Sequence, residues 1–312
     1  MYDLIIIGAG PAGMTAGIYA ARREMKTLII GSEVGGQMVW ANEIENYPGL
    51  SKISSFELIE NMKRQVLNFG AEMKIEEVKK IERNDKGNFL VYTGRESFES
   101  QAVIIAMGLS PRRLAVSGET EFNGKGISYC ANCDGPFFKK KTVAVIGGGN
   151  SALDAAEMMS KIASRVYLIH RNENFKAFET LLDEVKNRSN IEILLNSEVR
   201  EISGNGKVEQ MKIFNIKDKS EREIKTDGVF IEVGRIASTD LVADFVDRND
   251  KNQIIINGKG ETKTPGLYAA GDVTSCETKQ ITVAVGQATI ATLSAYQYLQ
   301  SRGNSHFVEK KY

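Results

Sequence analysis

The chain is poor in cysteine, histidine and proline, with three, two and five of them in 312 residues. Cys130, Cys133 and Cys276 are too few for the disulfide framework that staples small secreted domains. His170, His306 and Cys276 complete no zinc-ligand spacing with the Cys130–Cys133 pair, so no metal site is expected. An excess of either charge is missing too. Lysine plus arginine equals aspartate plus glutamate at 40 each, which gives nucleic acid or an anionic membrane surface nothing to hold. No apolar run reaches the ~18 residues that a spanning helix needs. The first residues, Met1-Tyr2-Asp3-Leu4, enter an apolar pattern without a basic stretch or a small-residue cleavage site. The chain therefore reads as cytoplasmic, with neither nucleic acid nor membrane as a partner.

What is present is ordinary globular material, 42% hydrophobic and 26% charged, in a length that suggests two domains. Two segments share one grammar. Asp3–Ile7, Gly8-Ala9-Gly10-Pro11-Ala12-Gly13, a helical pattern to Arg23 and Thr27–Ile30 form the first. Thr142–Ile146, Gly147-Gly148-Gly149-Asn150-Ser151-Ala152, a helical pattern to Ile162 and Arg165–Ile169 form the second. Each predicts a buried strand, a glycine turn, a helix and a second parallel strand. The fold class is α/β, with two Rossmann-like dinucleotide-binding domains. Polar stretches at Arg83–Gly87 and Ile216–Lys225 predict hairpin loops. Near the end, Thr264–Asp272 predicts a short strand and Val283–Gln300 a helix. Sequence patterning does not say which domain owns this tail.

The glycine spacing carries chemistry. Gly8 permits the tight turn, Gly10 lets backbone approach a pyrophosphate, and Gly13 lets helix pack close on strand. Pro11 suits a first helical turn. The pyrophosphate would rest on the helix N-terminus, where unpaired N–H groups and the dipole favour an anion. The acid that usually ends the second strand is missing, since Gly31 stands there; Glu33 is the nearest substitute. Gly147, Gly149 and Ala152 repeat the spacing, with Asn150 and Ser151 between. After that unit's second strand come His170, Arg171 and, further on, Lys176. Cations there suit the 2′-phosphate of NADPH, although each is also an ordinary surface charge. Two fingerprints imply two dinucleotides, and a held flavin with an exchanging nicotinamide is the natural hydride-passing pair. Cys130-Ala131-Asn132-Cys133 precedes the second unit, with redox spacing. Asp134 follows directly and could move a proton beside the dithiol.

These blocks, with Gly35-Gly36-Gln37, Glu45-Asn46-Tyr47-Pro48-Gly49, Cys130–Gly135, His170-Arg171 and Ala270-Gly271-Asp272-Val273 in the same order, make the chain resemble the low-molecular-weight thioredoxin reductases. The resemblance spans nearly the whole chain. It implies an FAD domain at residues 1–112 and 242–312 and an inserted NAD(P)H domain, carrying the dithiol, at 113–241. It carries flavin contacts to Gly10, Ala12, Gly13, Glu33, Gly36, Gln37, Asn46, Gly271 and Asp272, extending to Lys279, Gln280 and Ile281. It implies a homodimer, with thioredoxin or a thioredoxin-like protein as partner. Cys133 would face the flavin, Cys130 would attack the partner's disulfide, Asp134 would handle the proton, and the inserted domain would rotate between the two tasks.

One departure concerns the donor. The family's His-Arg-Arg, three residues, Arg reads here as His170-Arg171-Asn172-Glu173-Asn174-Phe175-Lys176. Lysine lacks the planar fork for bidentate phosphate contact, and Glu173 adds a negative charge. NADPH is the expected donor and NADH the alternative. A second departure is Gly234-Arg235-Ile236-Ala237-Ser238 in place of the family's Gly-His/Arg-x-Pro-Asn. Competing readings are a reductase of another thioredoxin- or glutaredoxin-like carrier, a low-turnover redox sensor and a ferredoxin reductase.

Overall fold

The computed structural model describes residues 1–40 and 43–303; His306 lies outside them. Strand β1 (Tyr2–Ala9) leads through Gly10 into helix α1 (Pro11–Arg22), with Pro11 in its first turn, and then into β2 (Thr27–Val34). A short antiparallel ribbon, β3 (Glu43–Ile44) with β4 (Ile53–Ser54), precedes α2 (Ser55–Asn68). Then come β5 (Glu72–Ile75), β6 (Val78–Arg83), β7 (Phe89–Thr93), β8 (Ser97–Ile105) and the short β9 (Ser110–Pro111). Next are β10 (Ile127–Ser128), α3 (Ala131–Asp134), β11 (Thr142–Ile146), α4 (Asn150–Ser160), β12 (Arg165–Ile169), α5 (Glu179–Lys186) and β13 (Ile191–Leu194). An antiparallel sheet follows, of β14 (Ser197–Ser203), β15 (Gln210–Asn215) and β16 (Glu221–Lys225). The last described elements are β17 (Gly228–Ile231), β18 (Arg235–Ile236), which pairs with β9, β19 (Leu267–Ala269) and α6 (Ile281–Ser301).

The chain divides into two compact units. One holds Met1–Ser110 and the stretch from Ile236 onward; the other is Pro111–Arg235. The first unit's sheet runs β5-β2-β1-β8-β7-β6, with β19 also on β8. Strand β8 serves two neighbours. Ser97–Ser100 pairs antiparallel with β7, and Val103–Ile105 pairs parallel with β19. The C-terminal tail is thereby assigned to the first unit. Side chains of β1 alternate between two cores, because successive residues of a strand face opposite ways. Leu4 and Ile6 join α1 and α6 on one face, and Ile5 and Ile7 join Leu28, Ile30 and Val103 on the other. Each of these fully buried aliphatic side chains contributes roughly 1.5–3 kcal/mol.

The second unit repeats the design. Its five strands, ordered β10-β17-β11-β12-β13, are all parallel. Val143 and Val145 face α4, while Ala144 and Ile146 face the antiparallel sheet's apolar side. The two predicted βαβ units are therefore present. The first predicted hairpin is the turn between β6 and β7. The second is shorter than Ile216–Lys225, because Glu221–Lys225 is strand β16. All its side chains but Ile224 are exposed, so its polarity mimics a loop.

Candidate active site

In the first unit, residues far apart in sequence converge at the C-terminal ends of β1 and β8. A Cβ on Gly8 would lie 2.2 Å from the Ala106 carbonyl oxygen, and one on Gly13 1.8 Å from the Gly8 oxygen. Both glycines are therefore required by the protein's own backbone. Gly10 is different. Its Cβ would meet nothing nearer than the Gly36 Cα at 3.8 Å, so packing alone would admit a side chain. A glycine that its own fold does not demand fits a turn left bare for a ligand's phosphates. Gly36 closes the opposite side, and the Gly35 N–H donates to the Ala9 oxygen at 2.9 Å.

Other predicted contacts assemble around this turn. Gln37 Nε2 donates to Asp272 Oδ2 at 2.8 Å, across 235 positions. Asn46 Nδ2 donates to Gln280 Oε1 at 3.2 Å. A Cβ on Gly271 would touch that of Ala12 at 3.1 Å. Lys279 plays a different part from an exposed contact: its ammonium donates to the Asp272 oxygen at 3.0 Å and the Thr274 oxygen at 2.7 Å, strapping this turn. Burial lowers its pKa, opposed by Asp272. Ile281 opens α6, with Gln280 as its N-terminal flank. Glu33 is exposed near the end of β2.

Two participants escaped sequence reading. Gln287 on α6 accepts from the Gly271 N–H at 2.8 Å. Glu76 follows β5, its N–H bonded to the Gly31 oxygen at 3.0 Å. Its Oε2 is buried and has no hydrogen-bond partner among the described residues. A buried carboxylate oxygen without a donor is costly, of order 1–3 kcal/mol or more, unless a ligand supplies one. It stands beside Gly31, where the fingerprint lacks its acid. The first unit thus fits an FAD: a bare glycine turn, a helix N-terminus and a carboxylate oxygen without a hydrogen-bond partner.

In the second unit, Gly147 is held close, its Cβ position 2.2 Å from the Glu232 oxygen. Gly149 resembles Gly10, meeting only the Lys176 oxygen at 3.8 Å. The segment after β12 folds back on this turn. The Lys176 N–H donates to the Gly148 oxygen at 2.7 Å, and the Phe178 N–H to Asn150 Oδ1 at 2.8 Å. Arg171 and Lys176 are exposed beside it, as is Ser151. His170 does not join them as a charge. Its ring is buried, fills the space where a Gly148 Cβ would be, and stacks on Phe175 at 5.1 Å. Burial lowers its pKa, with a smaller push from Arg171, so it stays neutral near pH 7. Its role is to shape the turn. Glu173 is paired with Lys217, at 3.3 Å, a partner that comes from the turn between β15 and β16.

The same unit carries the redox group. Cys130 and Cys133 form a disulfide with Cα atoms 5.4 Å apart. Cys130 is the N-cap of α3, and its sulfur accepts from the Cys133 N–H at 3.1 Å. That donor and the helix end favour negative charge on Cys130. Cys130 is buried, whereas Cys133 is exposed. Asp134 ends α3, its N–H donating to the Cys130 oxygen at 3.2 Å. Cys276 is a free cysteine of the first unit. Among the described residues no cluster of metal-binding side chains occurs.

Comparison with known proteins agrees with this geometry. The family model for pyridine nucleotide-disulphide oxidoreductases matches residues 2–288. The thioredoxin reductase of Borreliella burgdorferi is 41% identical over 302 residues, 96% of this chain and 92% of that one. That of Treponema pallidum is 36% identical over 305 residues, 97% and 99% of the two chains. The solved thioredoxin reductase of Lactococcus lactis superposes with a TM-score of 0.86 at 36% identity, covering 96% of this chain and all of that one. Matched along nearly its whole length, the chain belongs to the pyridine nucleotide-disulphide oxidoreductase family, in its thioredoxin reductase branch.

Proposed function

We propose that this protein is an NADPH-dependent thioredoxin-disulfide reductase whose Cys130–Cys133 pair relays electrons to thioredoxin or a thioredoxin-like protein. The carrying observation is that disulfide, at the head of α3, in the unit that also holds the Gly147–Ala152 turn. The first unit would be the FAD-binding domain and the second the NAD(P)H-binding domain. FAD, when bound, supplies a two-electron relay between the nicotinamide and the disulfide. Gly8, Gly10, Pro11, Ala12, Gly13, Glu33, Gly36, Gln37, Asn46, Gly271, Asp272, Lys279, Gln280 and Ile281 would hold it or shape its site, with Glu76 as the unpaired acceptor. Gly147, Gly149, Asn150, Ser151 and Ala152 would shape the nicotinamide dinucleotide's turn, and Arg171 and Lys176 would meet its 2′-phosphate. The pairing of Glu173 with Lys217 supports NADPH, since it offsets the carboxylate that lies between those cations in sequence.

In the partner half-reaction the Cys130 thiolate attacks one sulfur of the oxidised partner. The partner's S–S bond breaks and a Cys130 mixed disulfide forms, its leaving thiolate taking a proton from solvent. Asp134 then takes the Cys133 proton, the Cys133 thiolate attacks Cys130, and the partner's second sulfur leaves with that proton, restoring the internal disulfide and releasing the dithiol partner. The helix N-cap supports Cys130 as nucleophile, and its burial means that attack requires its uncovering. Phe137, three residues beyond Asp134, is 75% exposed and would serve as an apolar anchor for the partner. The resemblance also supports a cytoplasmic homodimer; among the described residues no helix is long and apolar enough to cross a membrane.

The test is anaerobic flavin bleaching with NADPH and, separately, NADH, followed by thioredoxin reduction. Bleaching by NADPH and loss of thioredoxin reduction in Cys130→Ser support the proposal. Faster bleaching by NADH overturns the donor. Bleaching by neither overturns the nicotinamide route, and thioredoxin reduction that survives Cys130→Ser overturns the dithiol relay.

A further inference from the structure

The four residues Phe175–Phe178 lead from beside the second unit's glycine turn to α5 as an extended stretch. Lys176 forms a parallel bridge with Gly149, and Phe178 has extended torsions, φ −62° and ψ 138°. Burial alternates along the stretch as in a strand. Phe175 and Ala177 pack against the core that holds Val143, Leu168 and Ala152, while Lys176 and Phe178 are exposed. Alternate residues of an extended chain share a face, so the Lys176 and Phe178 side chains leave on the same outer side, their Cα atoms about 7 Å apart.

That face is held by the turn itself. The Lys176 N–H donates to the Gly148 oxygen at 2.7 Å, and the Phe178 N–H to Oδ1 of Asn150, the first residue of α4, at 2.8 Å. On the inner side Phe175 stacks on His170 at 5.1 Å. Phe178 is nonetheless 69% exposed. A phenyl ring is thus presented to solvent by a backbone locked to the glycine turn. Such a ring is pre-organised for a flat ligand, since its backbone has little ordering entropy left to lose on binding.

We infer that Phe178 is the base platform of the second unit, its ring stacking on the adenine whose ribose 2′-phosphate meets Arg171 and Lys176. The inference rests on the reading of the Gly147–Ala152 turn as the nicotinamide dinucleotide's site. In that nucleotide one ribose separates the 2′-phosphate from the purine, a span comparable to that between alternate side chains on one strand face. The cation takes the phosphate and the ring takes the π-face of the base. The two contacts divide the work. NADPH and NADH carry the same adenine, so the ring strengthens both alike and leaves the choice between them to the cations.

The test reads equilibrium binding to the oxidised holoprotein, without turnover. NADP⁺ and NAD⁺ are titrated by calorimetry into the unsubstituted protein and three variants. Phe178→Leu keeps an apolar side chain but no ring, and should weaken both ligands about tenfold, by the same factor. Phe178→Tyr should bind both as the unsubstituted protein does. Arg171→Ala should weaken NADP⁺ alone. If Phe178→Leu binds both ligands normally while Arg171→Ala loses NADP⁺, the inference is overturned and the nicotinamide site stands. Weakening of NADP⁺ alone by Phe178→Leu also overturns it. If neither ligand binds the unsubstituted protein, the reading of the site falls and the inference with it. A second measurement uses the indole emission that Phe178→Trp adds to that of the unsubstituted protein. Adding 2′,5′-ADP should quench it through stacking, and an added emission unchanged at saturation overturns the inference.

Discussion

The two glycine turns are built alike and finished differently. In each, the first glycine is forced by a backbone oxygen 2.2 Å from its Cβ position, Ala106 for Gly8 and Glu232 for Gly147. In each, the middle glycine, Gly10 or Gly149, has protein no nearer than 3.8 Å. The third position separates them. Gly13 has no room for a Cβ, while Ala152 carries one in the same place. The ends of the second strands separate them further. One is Gly31 beside the unpaired Oε2 of Glu76; the other leads to Arg171 and Lys176 over a neutral His170 wedge. Close backbone approach makes either turn able to receive a pyrophosphate, and the chemistry beyond the second strand decides which dinucleotide is preferred.

The sharpest way to break the comparison is at the third position. Gly13→Ala places a Cβ 1.8 Å from the Gly8 oxygen, so strand and helix must part. It should cost about 3 kcal/mol or more and lower the flavin content of purified protein, read by urea unfolding and the flavin spectrum. The next effect tests the second unit through pH. Burial raises the Glu232 carboxyl to about 7, so the folded chain holds a proton that the unfolded chain has lost. Stability conferred by the rest of the unit should therefore fall as pH rises from about 4.5 to about 7, by about 2 kcal/mol from this group. Glu232→Gln should flatten that fall, and a slope unchanged in the variant would refute the assignment.

Smaller effects concern the strand ends. Glu76→Gln should weaken FAD binding about tenfold, measured by flavin release on dilution, without touching the KM for NADPH. Arg171→Ala should raise the KM for NADPH about tenfold and leave that for NADH unchanged, sharpening the contrast between the two sites. The smallest effect is Ala152→Gly. That turn tolerates either residue, so the change should cost only about 1 kcal/mol of stability in urea unfolding, chiefly helix propensity.

Much of this was legible beforehand because it is local. Apolar β-branched runs, glycines at fixed offsets and C-x-x-C spacing act over a few residues, so β1–α1–β2, β11–α4–β12 and the dithiol could be read directly. His170 is less legible for a physical reason: sequence shows a titratable ring after a strand but not that Gly148 leaves a hole for it. Nor does sequence show that Lys279 straps the Asp272–Thr274 backbone. Glu76 and Glu232 left no signal, because an acid after a strand is ordinary until its burial and its neighbours are known.

By itself the sequence determined two parallel βαβ units, their phosphate-ready turns and a redox-active pair before the second. Tertiary structure alone decided that the C-terminal tail completes the first unit. It does so because β19 needs the backbone hydrogen bonds that the second half of β8 leaves open after β7 ends. It also decided that Gln37 meets Asp272 and that Glu232 reaches the dithiol helix. Such contacts join residues 235 and 101 positions apart, a separation across which no periodicity carries information and only packing can bring the partners together.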